Sequence, residues 1–335
     1  VLVIPQPEGD RTWRGRLGRL ASCIAGYGLV MAPWLLRNLG VFGSPLSPGN
    51  NKALWFVDYD DLYAFPGSLI TPSRWWESGV VAIAQARLWA AGQNLVTALV
   101  VQGSIFLSPL IVVGLWRLRR IRSVRFGTLA WAFSLALMSL VFPFAGARGG
   151  FFHSGAAVQT LFWAAAPAGL WAFIEWGQRR RGWRVNQAWR VFRAGILVLV
   201  IAMTAVIFQR RVLGSDWRQP AWAQSQAAYI ELAGALEEMG IQAGDLVMVN
   251  NPPGLFLASG MPSIPIPDGD VGTLLAAARQ YGARYVLLEA NHPQELDDLY
   301  QNPGERPGLH LLRTYMGVFI FEVLEEQGTA EVAGG

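Results

Sequence analysis

Over the first two-thirds of the chain, apolar runs of membrane-spanning length alternate with clusters of arginine; the last third changes to short segments of mixed polarity. The first run, Leu20 to Leu36, carries no charge and is about long enough to cross a ~30 Å hydrocarbon layer. Further runs at Leu95 to Trp116, Gly127 to Ala145, Ala156 to Trp176 and Ala194 to Phe208 bring the expected number of spans to about five. Between Leu39 and Asn94, turn formers interleave with Trp and Tyr, and Ser78 to Gln93 is expected to be a half-buried interfacial helix. From Trp222 onward the periodicity predicts helices at Ala227 to Met239, Val271 to Tyr281 and Pro293 to Tyr300. It predicts strands at Asp245 to Asn250, Arg284 to Glu289, His310 to Tyr315 and Val318 to Val323. The expected architecture is therefore an α-helical polytopic membrane domain over 1–212, a small extracytoplasmic α/β domain over 213–325, and a disordered tail over 326–335.

Composition supports the membrane assignment, since 53% of the residues are hydrophobic and the mean hydropathy is +0.30. Charge divides the chain near residue 215: 22 basic and 7 acidic residues precede Asp216, and 5 basic and 16 acidic residues follow from it. The basic excess lies in short clusters (Arg11, Arg14, Arg16 and Arg19; Arg117 to Arg125; Arg179 to Arg193), so it reports membrane orientation and argues against nucleic-acid binding. Those clusters fall on alternate connections and are expected to be cytoplasmic, which turns the 39–94 loop, the 146–155 connection and everything after Arg211 outward, in a multi-pass protein of the cell membrane. Cys23 is the single cysteine, so no internal disulfide forms, and three scattered His give no metal-ligand spacing.

Two outward stretches carry candidate chemistry. Arg37 ends the run Ala32-Pro33-Trp34-Leu35-Leu36-Arg37-Asn38, where a guanidinium meets either a lipid phosphate or only the headgroup layer. In Arg148-Gly149-Gly150-Phe151-Phe152-His153-Ser154, the glycines permit a sharp turn and Ser154 is expected to cap the next helix. Arg148 and His153 would then face an anion together with the free N–H groups of a helix start. Asp58, Asp60 and Asp61 form the dense acidic cluster of the membrane part. They are weak candidates for a catalytic base, and without a distant partner they do not complete a divalent-cation shell. In the soluble part, Asn250-Asn251-Pro252-Pro253-Gly254 follows a strand and reads as a ligand loop or as a rigid turn.

The run at 32–38 followed by Phe42-Gly43-Ser44-Pro45, together with the Arg-Gly-Gly-Phe-Phe-His-Ser-Gly run at 148–155, resembles the later half of bacterial membrane glycosyltransferases of the C-type fold. These are relatives of the dolichyl-phosphate-mannose protein mannosyltransferases and the aminoarabinose transferases, and the α/β region resembles the soluble tail of some of them. The resemblance implies an inverting transferase that takes a sugar from a polyprenyl-phosphate donor to an acceptor on the outer membrane face, with no tightly bound cofactor. It assigns Arg37, Arg148 and His153 to the departing lipid phosphate. It also places the general base in an acidic loop expected to precede Val1, so that this chain is expected to be a piece of a longer enzyme. The bilayer, the lipid-linked donor and an unnamed acceptor are the expected partners. The alternative is a non-catalytic membrane protein whose outer α/β domain binds a partner or an envelope glycan. A secondary transporter fits less well, because the spans carry no mid-membrane ionisable residue.

Overall fold

The computed structural model describes residues 13–45, 49, 52–218, 220 and 222–324, so Arg11 and the expected tail at 326–335 lie outside it. Among the described residues, four helical stretches are long and apolar enough to cross a membrane: Leu17–Phe42, Arg122–Val141, Pro143–Arg181 and Val185–Leu213. The chain divides into two compact units, Val1–Trp55 and Phe56–Gly335.

In the first unit, α1 (Trp13–Phe42) runs uninterrupted through Pro33 and exposes Leu29 and Val30. It stops at Gly43, whose φ of +67° suits a glycine, with the Gly43 N–H bonded to the Leu39 carbonyl. The expected end at Arg37 is therefore corrected. The apolar residues Leu39, Val41 and Phe42 carry the helix a further turn, and Arg37 lies inside it.

In the second unit, α2 (Pro72–Glu77) is capped by Thr71, whose hydroxyl accepts from the Arg74 N–H, and leads into α3 (Gly79–Thr97). The expected span from Leu95 to Trp116 is not one helix. After α3 a wide turn, Ala98–Gln102, ends at Gly103, and the chain breaks before α4 (Ser108–Leu118). At the break Ser104 and Ile105 take positive φ values of 48° and 55°. That conformation is unfavourable for a β-branched residue and persists only when neighbours hold it. The freed carbonyls find partners in the protein: Ser108 Oγ donates to Leu99 O and Gln159 Nε2 to Val101 O. Gln102 links Trp131 Nε1 to Phe151 O. Irregular backbone among apolar helices is tolerated where protein groups replace water in this way.

Helix α5 (Arg122–Ala136) continues through a wide turn at Leu137–Val141, followed by a single turn, α6 (Pro143–Ala145). Helix α7 (Phe151–Arg181) packs on α4 backbone to backbone. A Cβ on Gly114 would lie 2.0 Å from Ala165 O, and one on Gly169 would lie 1.9 Å from Leu110 O. Small residues allow such approach, the usual means of joining helices where lipid removes the hydrophobic drive between them. At one end the pair is fastened by Arg117, which donates to both Glu175 oxygens at 2.7 and 3.1 Å. Helix α8 (Val185–Phe208) buries none of its residues, as suits an apolar helix with lipid around it.

The C-terminal region is a five-stranded sheet in the order β2-β1-β3-β5-β4. Strands β1 (Val247–Val249), β2 (Ser263–Ile264) and β3 (Tyr285–Leu288) are parallel; β4 (Leu309–Tyr315) and β5 (Val318–Val323) close it antiparallel. On one face Met248, Val286, Leu288 and Phe321 meet α11 (Val271–Tyr281) and α12 (Asp297–Gln301). On the other, Val247, Val249, Leu287 and Ile320 meet α9 (Gln224–Glu238) and α10 (Pro252–Ser259). Cover on both faces explains why β3 is buried at every position and reads as a continuous apolar run. Each fully buried Leu or Val here contributes about 1.5–3 kcal/mol. Helix α10 occupies the stretch expected as a loop or rigid turn: Asn251 is its N-cap, accepting from the Gly254 N–H, and the two prolines fit its first turn.

Candidate functional site

The acidic segment after Phe56 folds around its own carboxylates. Asp61 is 3% exposed; its Oδ2 accepts from the N–H groups of Val57 and Asp58 at 2.6 and 3.2 Å, and its Oδ1 pairs with Arg74 at 2.6 Å. Asp58 Oδ1 accepts in turn from the N–H groups of Asp60 and Asp61. These interlocking turns are the local chemistry by which Asp shapes backbone outside helices. Two of the three expected catalytic carboxylates are thus engaged in holding the segment, and Asp60 is the one left free of such bonds among those described. Burial, then the charges of Asp58 and Glu295, push the Asp60 carboxyl above the usual range, while Arg148 pulls it down.

Arg148 comes to Asp60 from a kinked turn, Gly146–Gly150, immediately before α7. Gly149 has φ +134°, closed to other residue types, and a Cβ on Gly146 would meet Met138 O at 1.9 Å. This geometry presents an exposed guanidinium 4.0 Å above the ring of Tyr59. Tyr59 meets Tyr63 edge to face, with centroids 6.3 Å apart. His153 is exposed and stands edge-on to Phe152, one turn along the same helix start. Ser154 does not cap that helix. It lies inside α7 with its hydroxyl on Phe151 O, and the Phe151 N–H is taken by Gly146 O, because the helical path runs on through the glycines. The expected row of free N–H donors is correspondingly reduced, which leaves the guanidinium as the principal anion-facing group.

The C-terminal sheet region lies against the acidic segment. Its Asp268 N–H donates to Tyr63 O, Ala64 and Asp268 form a parallel bridge, and Phe65 packs into the sheet core and against Tyr281. Burial first, then Glu295, Asp60, Asp58 and Asp61, push the Asp268 carboxyl up to about 6. Neither Asp268 nor Glu295 stood out in the sequence: Asp268 reads as a turn residue ahead of Asp270, which is indeed the N-cap of α11, bonded to the Thr273 N–H. Among the described residues no three His, Cys, Asp or Glu side chains are grouped as metal ligands.

Arg37 belongs to the first unit, where it is exposed, donates to the Asn38 side chain at 3.3 Å and lies 5.4 Å over Trp34. Asn250 and Asn251 lie well away in sequence, at the carboxyl end of β1, lining a cleft with Tyr229 and Glu289. No family model, curated protein or solved structure matches this chain.

Proposed function

We propose that the chain is part of a membrane glycosyltransferase that moves a sugar from a polyprenyl-phosphate donor to an acceptor. Transfer would take place at the membrane face carrying the 56–78 segment, the outer face by the distribution of arginines. The observation that carries this reading is the exposed Arg148 guanidinium stacked on Tyr59 beside the Asp60 carboxyl. Breaking a sugar–phosphate bond leaves charge on the lipid phosphate, and a guanidinium held in place offsets that charge as it develops. The acceptor hydroxyl must lose a proton. A carboxyl raised towards neutrality and placed beside the cation is suited to take it, so Asp60 is the acidic group within this chain best positioned for that role. Asp60 thereby takes the role that the resemblance in sequence gives to an acidic loop ahead of Val1.

The test separates phosphate from lipid tail. With the chain in nanodiscs, Arg148→Ala should weaken binding of polyprenyl phosphate by about tenfold or more, the value of a charge-assisted contact, and leave polyprenol binding unchanged. In the full-length parent the same change should abolish transfer, and Asp60→Asn should lower turnover with donor binding intact. Equal loss for both lipids, or undiminished transfer in Arg148→Ala, would remove the reading.

A further inference from the structure

A second concavity, in the C-terminal sheet domain, has a chemistry unlike that of the Arg148 site. A cleft of about 480 Å³ opens at the carboxyl ends of β1 and β3, between the segment after Val249, the segment after Leu288 and the Met316–Gly317 turn. That volume lies within the range of small-ligand sites, and the carboxyl edge of parallel strands is where open α/β sheets place them. Its polar lining comes from Tyr229, Asn250, Asn251, Glu289, Asn291 and Tyr300.

Glu289 is the key group. It is half-buried, and its oxygens accept from the Tyr229 hydroxyl, at 2.9 and 3.2 Å, and from the Asn250 backbone N–H. Tyr229 is itself nearly buried, so the pair is fixed in place by the α9 packing rather than by solvent. Asn250 is held by its side-chain bond to the Asn291 carbonyl, and Tyr300 by its bond to Gly317 O. A carboxylate has more acceptor sites than one phenol and one backbone N–H fill, and three carboxamides and a second phenol line the cleft with it. None of the lining residues is basic. An anion would therefore meet Glu289 with nothing to offset it, and a hydrocarbon would strip water from six polar side chains. A ligand with several hydroxyls donates to the carboxylate and exchanges both donor and acceptor bonds with the carboxamides. Met316, 57% exposed at the rim, supplies apolar surface for the C–H face of a pyranose.

We infer that this cleft binds a neutral sugar residue, through Glu289, Asn250 and Tyr229. The inference does not depend on the donor-lipid reading, because it concerns a different site and a ligand without phosphate.

The experiment uses the full chain in sugar-free lipid nanodiscs. Saturation-transfer NMR is recorded with the methyl glycosides of glucose, mannose, galactose and N-acetylglucosamine, with inorganic phosphate and ethanolamine as comparators. At least one glycoside should receive saturation, and Glu289→Gln and Asn250→Ala should each weaken it about tenfold or more, as expected for loss of a charge-assisted or buried hydrogen bond. Tyr229→Phe, which removes one oxygen and keeps the ring packing, should weaken it in the same direction. It serves as the readout if either of the other variants fails to fold. Absence of saturation from all four glycosides, affinity indifferent to the substitutions, or displacement of the glycoside by phosphate or ethanolamine would overturn the assignment.

Discussion

Asp61 and Asp60 are neighbours in sequence with opposite expected responses to the same isosteric change. Asp61→Asn keeps one carbonyl oxygen for the Val57 and Asp58 N–H groups but gives up the ion pair to Arg74, formed at 2.6 Å with the carboxylate side chain only 1% exposed. Removing one partner of a fully buried pair costs about 3–5 kcal/mol. The Arg74 side chain is 42% exposed, so the pair is fully buried only at its carboxylate end and a smaller figure, about 2 kcal/mol, is the better expectation. The loss falls on local opening of the segment, where about 2 kcal/mol is roughly a thirtyfold rise in exchange of the protected amides. Hydrogen exchange read by mass spectrometry on peptides covering 56–64, in nanodiscs, measures this directly. Asp60→Asn removes a charge that burial and its acidic neighbours already disfavour, so the same amides should exchange no faster than in the parent. If the two variants exchange alike, or Asp61→Asn leaves the amides of Val57 and Asp58 as protected as before, the division between a structural and a chemical carboxylate is wrong.

Two further predictions concern the frame around that segment. With Asp268 pushed up to about 6, the folded protein holds more protons than the unfolded chain between the ordinary carboxylate range and pH 6. Stability should therefore fall as pH rises through that window and level off above it. Asp268→Asn should flatten the profile and raise the melting temperature at pH 7, while a profile unchanged by the substitution would count against the crowding of Asp268 by Glu295, Asp60, Asp58 and Asp61. Gly169→Ala puts a methyl 1.9 Å from Leu110 O, so α4 and α7 must separate. A loss of about 1–3 kcal/mol, seen as a lower melting temperature in detergent, is expected, and a wild-type melting curve would refute the close backbone contact.

Periodicity was sufficient where one face or one environment decides the element. Helix α11 matches its expected bounds, β3 falls within a residue of its own because it is buried throughout, and the β4–β5 pair falls within a residue of its expected bounds around the Met316–Gly317 turn. It failed where tertiary bonds override local preference. Nothing in the apolar stretch from Leu95 to Trp116 announces a break at Ser104 and Ile105. That break exists because Gln102, Ser108 and Gln159, distant from one another in role, satisfy its backbone. Proline in Asn250-Asn251-Pro252-Pro253 suggested a turn, yet it occupies the one helical position that needs no N–H, and Asn251 ahead of it is a sound N-cap. At the candidate site, Arg148 and the Asp58–Asp61 run were visible as residue types. Their meeting at Tyr59, and the arrival of Asp268 and Glu295 from more than 200 residues on, depend on long-range packing that no local pattern encodes.

The electrostatics of that meeting constrain the chemistry proposed for it. Arg148 is a single cation facing Asp60, with Asp58, Asp268 and Glu295 close enough to raise the carboxyls around it. A phosphate approaching from the carboxylate side would add to this repulsion, and only an approach to the exposed edge of the guanidinium, away from Asp60, gains from it. The Tyr59 ring lies 4.0 Å from the guanidinium and shields one of its faces. Gly149, whose φ of +134° belongs to the turn that carries Arg148, and the Asp61–Arg74 pair, which holds the segment that carries Tyr59, are the features whose geometry keeps that stack in place.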